Sequence, residues 1–132
     1  MTIILDADVV IRGEKGTFLL EKWVASRPND HEITAVTVAE LWYGVERATG
    51  ARRVTWQNYL ECHFGIGPII PYTEQTAYEH ARIWAELEAS GNMIGYYDLI
   101  VAATALERGS EVATFNQRHF AQIKGLSIIE PK

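Results

Sequence analysis

Cysteine is almost absent from this chain. Cys62 is the only one, so no disulfide can form within the molecule, and the sequence fits a reducing cytoplasm. Long apolar runs are missing as well. No stretch approaches the ~20 residues of a membrane span. The opening MTIILDADVV has no basic segment, and Asp6 and Asp8 interrupt its apolar run, so no signal peptide is expected. There are no repeats, low-complexity tracts or long linkers. Positive charge is also in short supply. Against 17 acidic residues stand 12 Lys and Arg, a formal net charge of −5. That balance excludes nucleic-acid binding by bulk charge and leaves a phosphate-bearing substrate to a local basic patch, or to cations held by acidic side chains.

The 132 residues suffice for one domain, and a hydrophobic fraction of 48% supports a core without disulfides or a structural metal. The pattern predicts strands at 2–5, 32–36, 111–115 and 126–129, with a further short one at Ile69–Ile70. Helices are expected over Thr17–Ser26, from Thr37, over 51–63, over Glu74–Ser90 and from Asp98 to Gly109. Breaks are expected at Gly65, Gly67 and Pro68. Along the Thr37 helix, Val38, Leu41, Trp42 and Val45 form the apolar stripe. On the long helix it is Ala77, Ala81, Trp84 and Ala85, which makes Trp42 and Trp84 core residues. Strands alternating with helices imply an α/β fold: a mostly parallel sheet covered on both faces. Ligands in such folds bind beyond the carboxyl ends of the strands.

The polar residues at those ends are Asp6 and Asp8 after the first strand, Glu40 in the helix after the second, Asp98 at a helix start and Asn116 after the strand EVATF. Steps of 34, 58 and 18 positions separate Asp6, Glu40, Asp98 and Asn116. Each has a local explanation. Thr37 and Glu40 have capping-box spacing, Asp98 precedes an apolar stripe as an N-cap does, Asp6 or Asp8 can cap the first helix, and Asn116 suits a turn. All of them on one rim is a stronger pattern than any one alone. Glu40 projects from the far side of its helix's stripe, and Gly44, one turn on, leaves space above it. Clustered carboxylates raise one another's pKa, and a protein keeps such a cluster mainly to bind a hard cation, in the pattern of Mg²⁺ with Mn²⁺ as a substitute. The cation reverses the local charge, so an acidic pocket becomes able to accept phosphate.

Four segments, ILDADVVI with Asp6, TVAELWYGVERA with Glu40, IGYYDLIVAATAL with Asp98 and ATFNQRHF with Thr114 and Asn116, resemble in order and spacing the four sequence blocks of PIN domains. The subgroup they resemble is the VapC-type toxins of toxin–antitoxin modules. The resemblance runs from Thr2 to about Pro131. It implies a three-layer α/β/α domain, residues 1–132, with a central, mostly parallel sheet of four to five strands. It also implies an Mg²⁺- or Mn²⁺-dependent endoribonuclease whose metal ligands are Asp6, Glu40 and Asp98. Asn116 falls where many members carry a fourth acidic or amide group, and Thr114 matches a hydroxyl that orients a ligand or water. The implied partners are RNA (transfer or ribosomal), a cognate antitoxin and a second copy of the chain. Two departures stand out. Asp8 occupies a position where members commonly have asparagine, and the fourth position is Asn116 rather than an acid.

Around this set, Arg12, Arg118 and His119 are rim candidates for holding RNA, and Tyr97, with Tyr96, for reaching the site. Arg47 is a further basic residue to watch, and Arg52 and Arg53 are read as surface charges. Two rival readings remain. ILDADVV also fits the opening of a haloacid-dehalogenase-type phosphatase with Asp6 as nucleophile. That class expects a later lysine, and the only lysines after Lys22 are Lys124 and Lys132. The second rival is a non-catalytic module that keeps the fold for binding alone.

Overall fold

The computed structural model describes residues 2–64 and 68–132. The breaks expected at Gly65 and Gly67 lie outside them. Five strands form one all-parallel sheet in the order β3-β2-β1-β4-β5. They are β1 (Ile3–Leu5), β2 (His31–Thr34), β3 (Ile69–Ile70), β4 (Glu111–Ala113) and β5 (Ser127–Ile129). The helices are α1 (Ala7–Lys15), α2 (Leu20–Ala25), α3 (Ala35–Arg47), α4 (Gly50–Phe64), α5 (Glu74–Ser90), α6 (Tyr96–Arg108) and α7 (Gln117–Phe120). Among the described residues, no helix is long and apolar enough to cross a membrane.

The side-chain alternation of β1 divides the core. Ile3 and Leu5 join one apolar cluster with Val9, Val10, Leu20, Leu41, Val45 and Leu60, drawn from α1 to α4. Ile4, between them, joins the other, with Ile83, Leu87, Leu99 and Phe120 from α5 to α7. A strand pointing alternate residues to opposite faces, both buried, is what a covered parallel sheet requires. The result is the expected three-layer α/β/α arrangement. β1 lies at its centre, pairing Ile3 with His31 on one side and with Glu111 on the other.

Several local expectations need correction. The first helix is α1, which starts directly after β1, and the stretch read as 17–26 holds only the six residues of α2. Strand β2 ends at Thr34, so Ala35 and Val36 are helical. The cap of α3 is Thr34, whose hydroxyl accepts the backbone N–H of Thr37 at 3.2 Å. Glu40 is therefore in the second turn of α3 and forms no capping box. Gly44 does not leave space for Glu40. A Cβ there would lie 2.6 Å from Nε1 of Trp56, so this glycine lets α4 pack onto α3.

On α5 the buried residues are Thr76, Ile83 and Leu87. Ala81, Trp84 and Ala85 face outward, and Trp84 is 40% exposed, so it is not a core residue. On α6, Leu99, Ala102 and Ala103 are fully buried and form the apolar stripe that follows Asp98. Helices α5 and α6 end on Gly91 and Gly109 in the left-handed conformation, φ 74° and 67°, which favours glycine.

Candidate active site

All the acidic candidates gather at the carboxyl ends of β1, β2 and β4, where a parallel sheet delivers its loops and helix starts. Asp6 is the residue after β1 and the N-cap of α1. Its Oδ1 accepts the N–H of Ala7 at 2.9 Å, and its Oδ2 accepts the hydroxyl of Thr114 at 2.8 Å. It is only 4% exposed.

Thr114, the residue after β4, is a junction. Its hydroxyl also lies 3.3 Å from Oδ2 of Asp8 and accepts the backbone N–H of Asn116 at 2.9 Å. Oδ2 of Asp8 takes the N–H of Phe115 at 3.1 Å as well. One hydroxyl thus ties two carboxylates to the loop after β4, more than 100 residues away in sequence.

Glu40, on α3, is half-buried, and among the described residues its Oε1 has no hydrogen-bond partner; Oδ1 of Asp8 is the same. Asp98 is the third residue of α6, whose N-cap is Gly95, so the expected capping role of Asp98 is not taken. Its Oδ2 lies 3.4 Å from Nδ1 of His119. That same nitrogen lies 2.9 Å from Nδ2 of Asn116. Asn116 precedes α7 and caps it with no side-chain bond.

The carboxylates feel one another. Burial pushes Asp6 up to about 7, with Asp8 and Asp98 adding repulsion and the Thr114 hydrogen bond opposing it. Burial likewise pushes Glu40 up to about 7, reinforced by the charges of Asp98 and Asp8. Asp8 is raised by burial, against the pull of the Phe115 N–H, the Thr114 hydroxyl and Arg12. Four carboxylates from three chain segments therefore share one electrostatic environment.

Among the described residues, no three His, Cys, Asp or Glu side chains converge closely enough to grip a metal ion. The donor set nevertheless suits a hard cation. Two buried carboxylate oxygens lack partners, and ionisation of the group is resisted by like charge that a cation would offset.

Of the other candidates, Thr114, Asp8, Asn116 and His119 join the site through these bonds. Arg12 reaches it through Phe115, over whose ring its guanidinium lies at 4.0 Å. Phe115 was missed from the sequence, because only the pairing of β1 with β4 brings it beside α1. Tyr97 is 51% exposed and, among the described residues, makes no ring contact or side-chain hydrogen bond to the carboxylates. Arg118 is exposed and forms no ion pair with them among the described residues. Arg52 pairs with Glu14 and Arg53 with Glu46, both away from the acidic group, as their surface reading implied.

Residues 3–126 match the PIN domain family. The chain is similar to ribonuclease VapC10 of Mycobacterium tuberculosis, 32% identical over 126 residues that cover 94% of this chain and 90% of that protein. It is also similar to the tRNA(fMet)-specific endonuclease VapC of Salmonella typhimurium, 33% identical over 96 residues, 73% of this chain and 71% of that protein. Among solved structures it is similar to VapBC-5 of Mycobacterium tuberculosis, from the VapBC family of toxin-antitoxin systems. The TM-score is 0.79 at 27% identity, covering 98% of this chain and 99% of that one. The match spans all four segments, including the Glu40 segment TVAELWYG, which the phosphatase reading leaves unexplained. This chain belongs to the PIN domain family, and within it to the VapC ribonucleases.

Proposed function

We propose that this chain is a divalent-cation-dependent endoribonuclease, a single catalytic domain that serves as the toxin of a cytoplasmic toxin–antitoxin pair. The observation that carries the reading is the gathering of a buried Asp6 and the partly buried Asp8, Glu40 and Asp98 on one rim of a PIN fold, with two carboxylate oxygens unpartnered among the described residues. The VapC ribonucleases it resembles support the activity.

Asp6, Asp98 and Glu40 are the residues to hold the cation, Mg²⁺ first and Mn²⁺ as a substitute. When bound, the cation supplies a Lewis acid that makes water a better nucleophile and offsets charge on the phosphate. The chain's own residues then divide the remaining work. Thr114 fixes the orientation of Asp6 and favours its ionised form through the 2.8 Å hydrogen bond. Asn116 and His119 hold one another beside Asp98, placing two polar groups where water or a phosphate oxygen is oriented. Both Asp6 oxygens are engaged by hydrogen bonds, which suits a positioned ligand better than the nucleophile of a phosphatase.

Transfer RNA is the first substrate to test, because the Salmonella relative is named for it; a ribosomal loop is the second. The cognate antitoxin is an inhibitor able to present an arginine to the carboxylates in place of the cation. A homodimer is the assembly expected of the toxin. The decisive experiment adds purified, antitoxin-free protein to RNA with Mg²⁺ or Mn²⁺, with and without chelator. Cleavage that stops with chelator supports the reading, and cleavage that persists removes the cation from it. RNA bound but never cut would favour the non-catalytic module.

A further inference from the structure

The loop after β4 and the helix α1 build a second feature beside the carboxylates. The guanidinium of Arg12 lies over the ring of Phe115, 4.0 Å from its centroid. Phe115 is itself held from the side by Phe18, edge-on at 5.3 Å between centroids. Phe18 packs in turn on Trp23 at 6.1 Å. A guanidinium laid on an aromatic face is fixed in plane while its N–H edges remain free, since stacking uses the π faces and hydrogen bonding uses the rim.

Arg12 is exposed and near enough for its charge to be felt at Asp8, yet it forms no ion pair with any carboxylate among the described residues. On Asp8, Oδ2 already takes the Phe115 N–H and the Thr114 hydroxyl, and Oδ1 is buried, where the exposed Arg12 does not reach it. Other arginines here are spent on glutamates, Arg52 on Glu14 and Arg82 on Glu79 and Glu86. Arg12 is a preorganised cation at the lip of an acidic site, and among the described residues its donors are uncommitted.

We infer that the Arg12–Phe115 stack is a phosphate-binding subsite, which grips one phosphodiester of the RNA strand and so sets the register in which the strand enters between the carboxylates. The inference rests on the ribonuclease reading and extends it to the substrate. A flat, supported guanidinium suits a phosphate because two parallel N–H groups meet two non-bridging oxygens. In a chain of net charge −5, such a fixed cation supplies locally the attraction that the surface as a whole lacks.

The test uses the full chain and a short single-stranded RNA carrying one neutral methylphosphonate linkage, moved along the strand. Cleavage is followed with Mg²⁺, and binding with Ca²⁺. With wild-type protein, one linkage position should weaken binding about 10–100-fold, the range of a charge-assisted contact. Arg12→Ala should raise KM by a similar factor with kcat within about threefold, and should lose its sensitivity at that one position only. Arg12→Lys keeps the charge without the fork and should recover only part of the loss, while Phe115→Leu should weaken binding and Phe115→Tyr should not. Equal sensitivity of wild type and Arg12→Ala at every linkage, or an unchanged KM in Arg12→Ala, overturns the subsite while leaving the ribonuclease standing. A wild-type protein that neither binds nor cuts RNA overturns both. Melting curves confirm that each exposed-site variant is folded.

Discussion

Thr114 gives its hydroxyl hydrogen to Oδ2 of Asp6 at 2.8 Å, across 108 positions of sequence. The bond opposes the burial that pushes Asp6 up to about 7. Thr114→Val keeps the shape and removes the donor. The Asp6 carboxyl should then titrate higher still, because its ionised form loses a stabilising contact. Leaving a buried oxygen unpaired should also cost about 1–3 kcal/mol of stability. Carboxyl NMR of the metal-free protein reads the first effect. The cleavage rate at pH 7 should fall about tenfold or more, with the deficit shrinking at pH 8.5, as expected of a general loss in the ionised fraction. Thr114→Ser should behave as wild type. An unchanged titration midpoint in the valine variant would detach Thr114 from the chemistry.

The same carboxylates make the cation-free protein pH-sensitive. Asp6 moves from 3.8 in an open chain to about 7, and Glu40 from 4.5 to about 7. Between those values the folded protein binds more protons than the unfolded chain. The stability these groups contribute is complete below about pH 4 and is lost as the pH rises through 7. In chelator, the melting temperature should therefore decline from pH 5 to pH 8. Asp98→Asn relieves the repulsion on both neighbours. It should gain about 1 kcal/mol, roughly 3–5 °C, at pH 8 while abolishing cleavage. A divalent cation at about 100 times its Kd should add about 2.7 kcal/mol to wild type and much less to the variant. Wild-type stability that climbs from pH 5 to pH 8 without a cation would refute this account.

What could be read beforehand followed from how far each signal is local. Asp6, Asp8, Thr114 and Asn116 sit at strand ends, and strand ends in an α/β pattern point at the site whatever the details. The start of α3 was misplaced because Thr37 and Glu40 have capping spacing, whereas Thr34 is also a cap residue and its own hydroxyl takes the Thr37 N–H. Trp84 was misassigned because α5 offers two helical stripes. Ala77, Ala81, Trp84 and Ala85 repeat as well as Thr76, Ile83 and Leu87, and only docking against α6 selects the second. Phe115 and Arg12 are 103 positions apart (115 − 12), and no periodicity announces a pair made by β1 meeting β4.

Gly44 tests the packing beneath Glu40. Its missing Cβ makes room for the Trp56 indole, which is buried and stacks on Tyr59 at 5.7 Å. Gly44→Ala forces two atoms to 2.6 Å, so α4 must shift away from α3. Helix propensity favours alanine by about 1 kcal/mol, yet overpacking of this kind costs about 1–3 kcal/mol. The net change should be destabilising, seen as a lower urea midpoint and a change in tryptophan emission. A variant more stable than wild type would mean that the interface yields without strain.

Asp8 stands where the resemblance to PIN domains leads to the expectation of asparagine, and its contacts predict what the extra charge does. Its Oδ2 serves the Phe115 N–H and the Thr114 hydroxyl, a task an amide oxygen can share, while Oδ1 is buried with no partner. Its charge raises both Asp6 and Glu40. Asp8→Asn should therefore lower the titration of Asp6 from about 7 and shift cleavage toward acid pH, because less repulsion opposes ionisation. The same loss of charge should weaken cation affinity, roughly tenfold for one carboxylate in a partly buried site. At saturating Mg²⁺ the rate should return to within about threefold of wild type, since a neutral amide preserves the geometry and only the ion's local attraction falls. Rates measured against Mg²⁺ concentration separate the two effects. An unchanged Mg²⁺ requirement with lost cleavage would place Asp8 in the chemistry itself, whereas a shifted requirement with retained rate makes it a tuning charge.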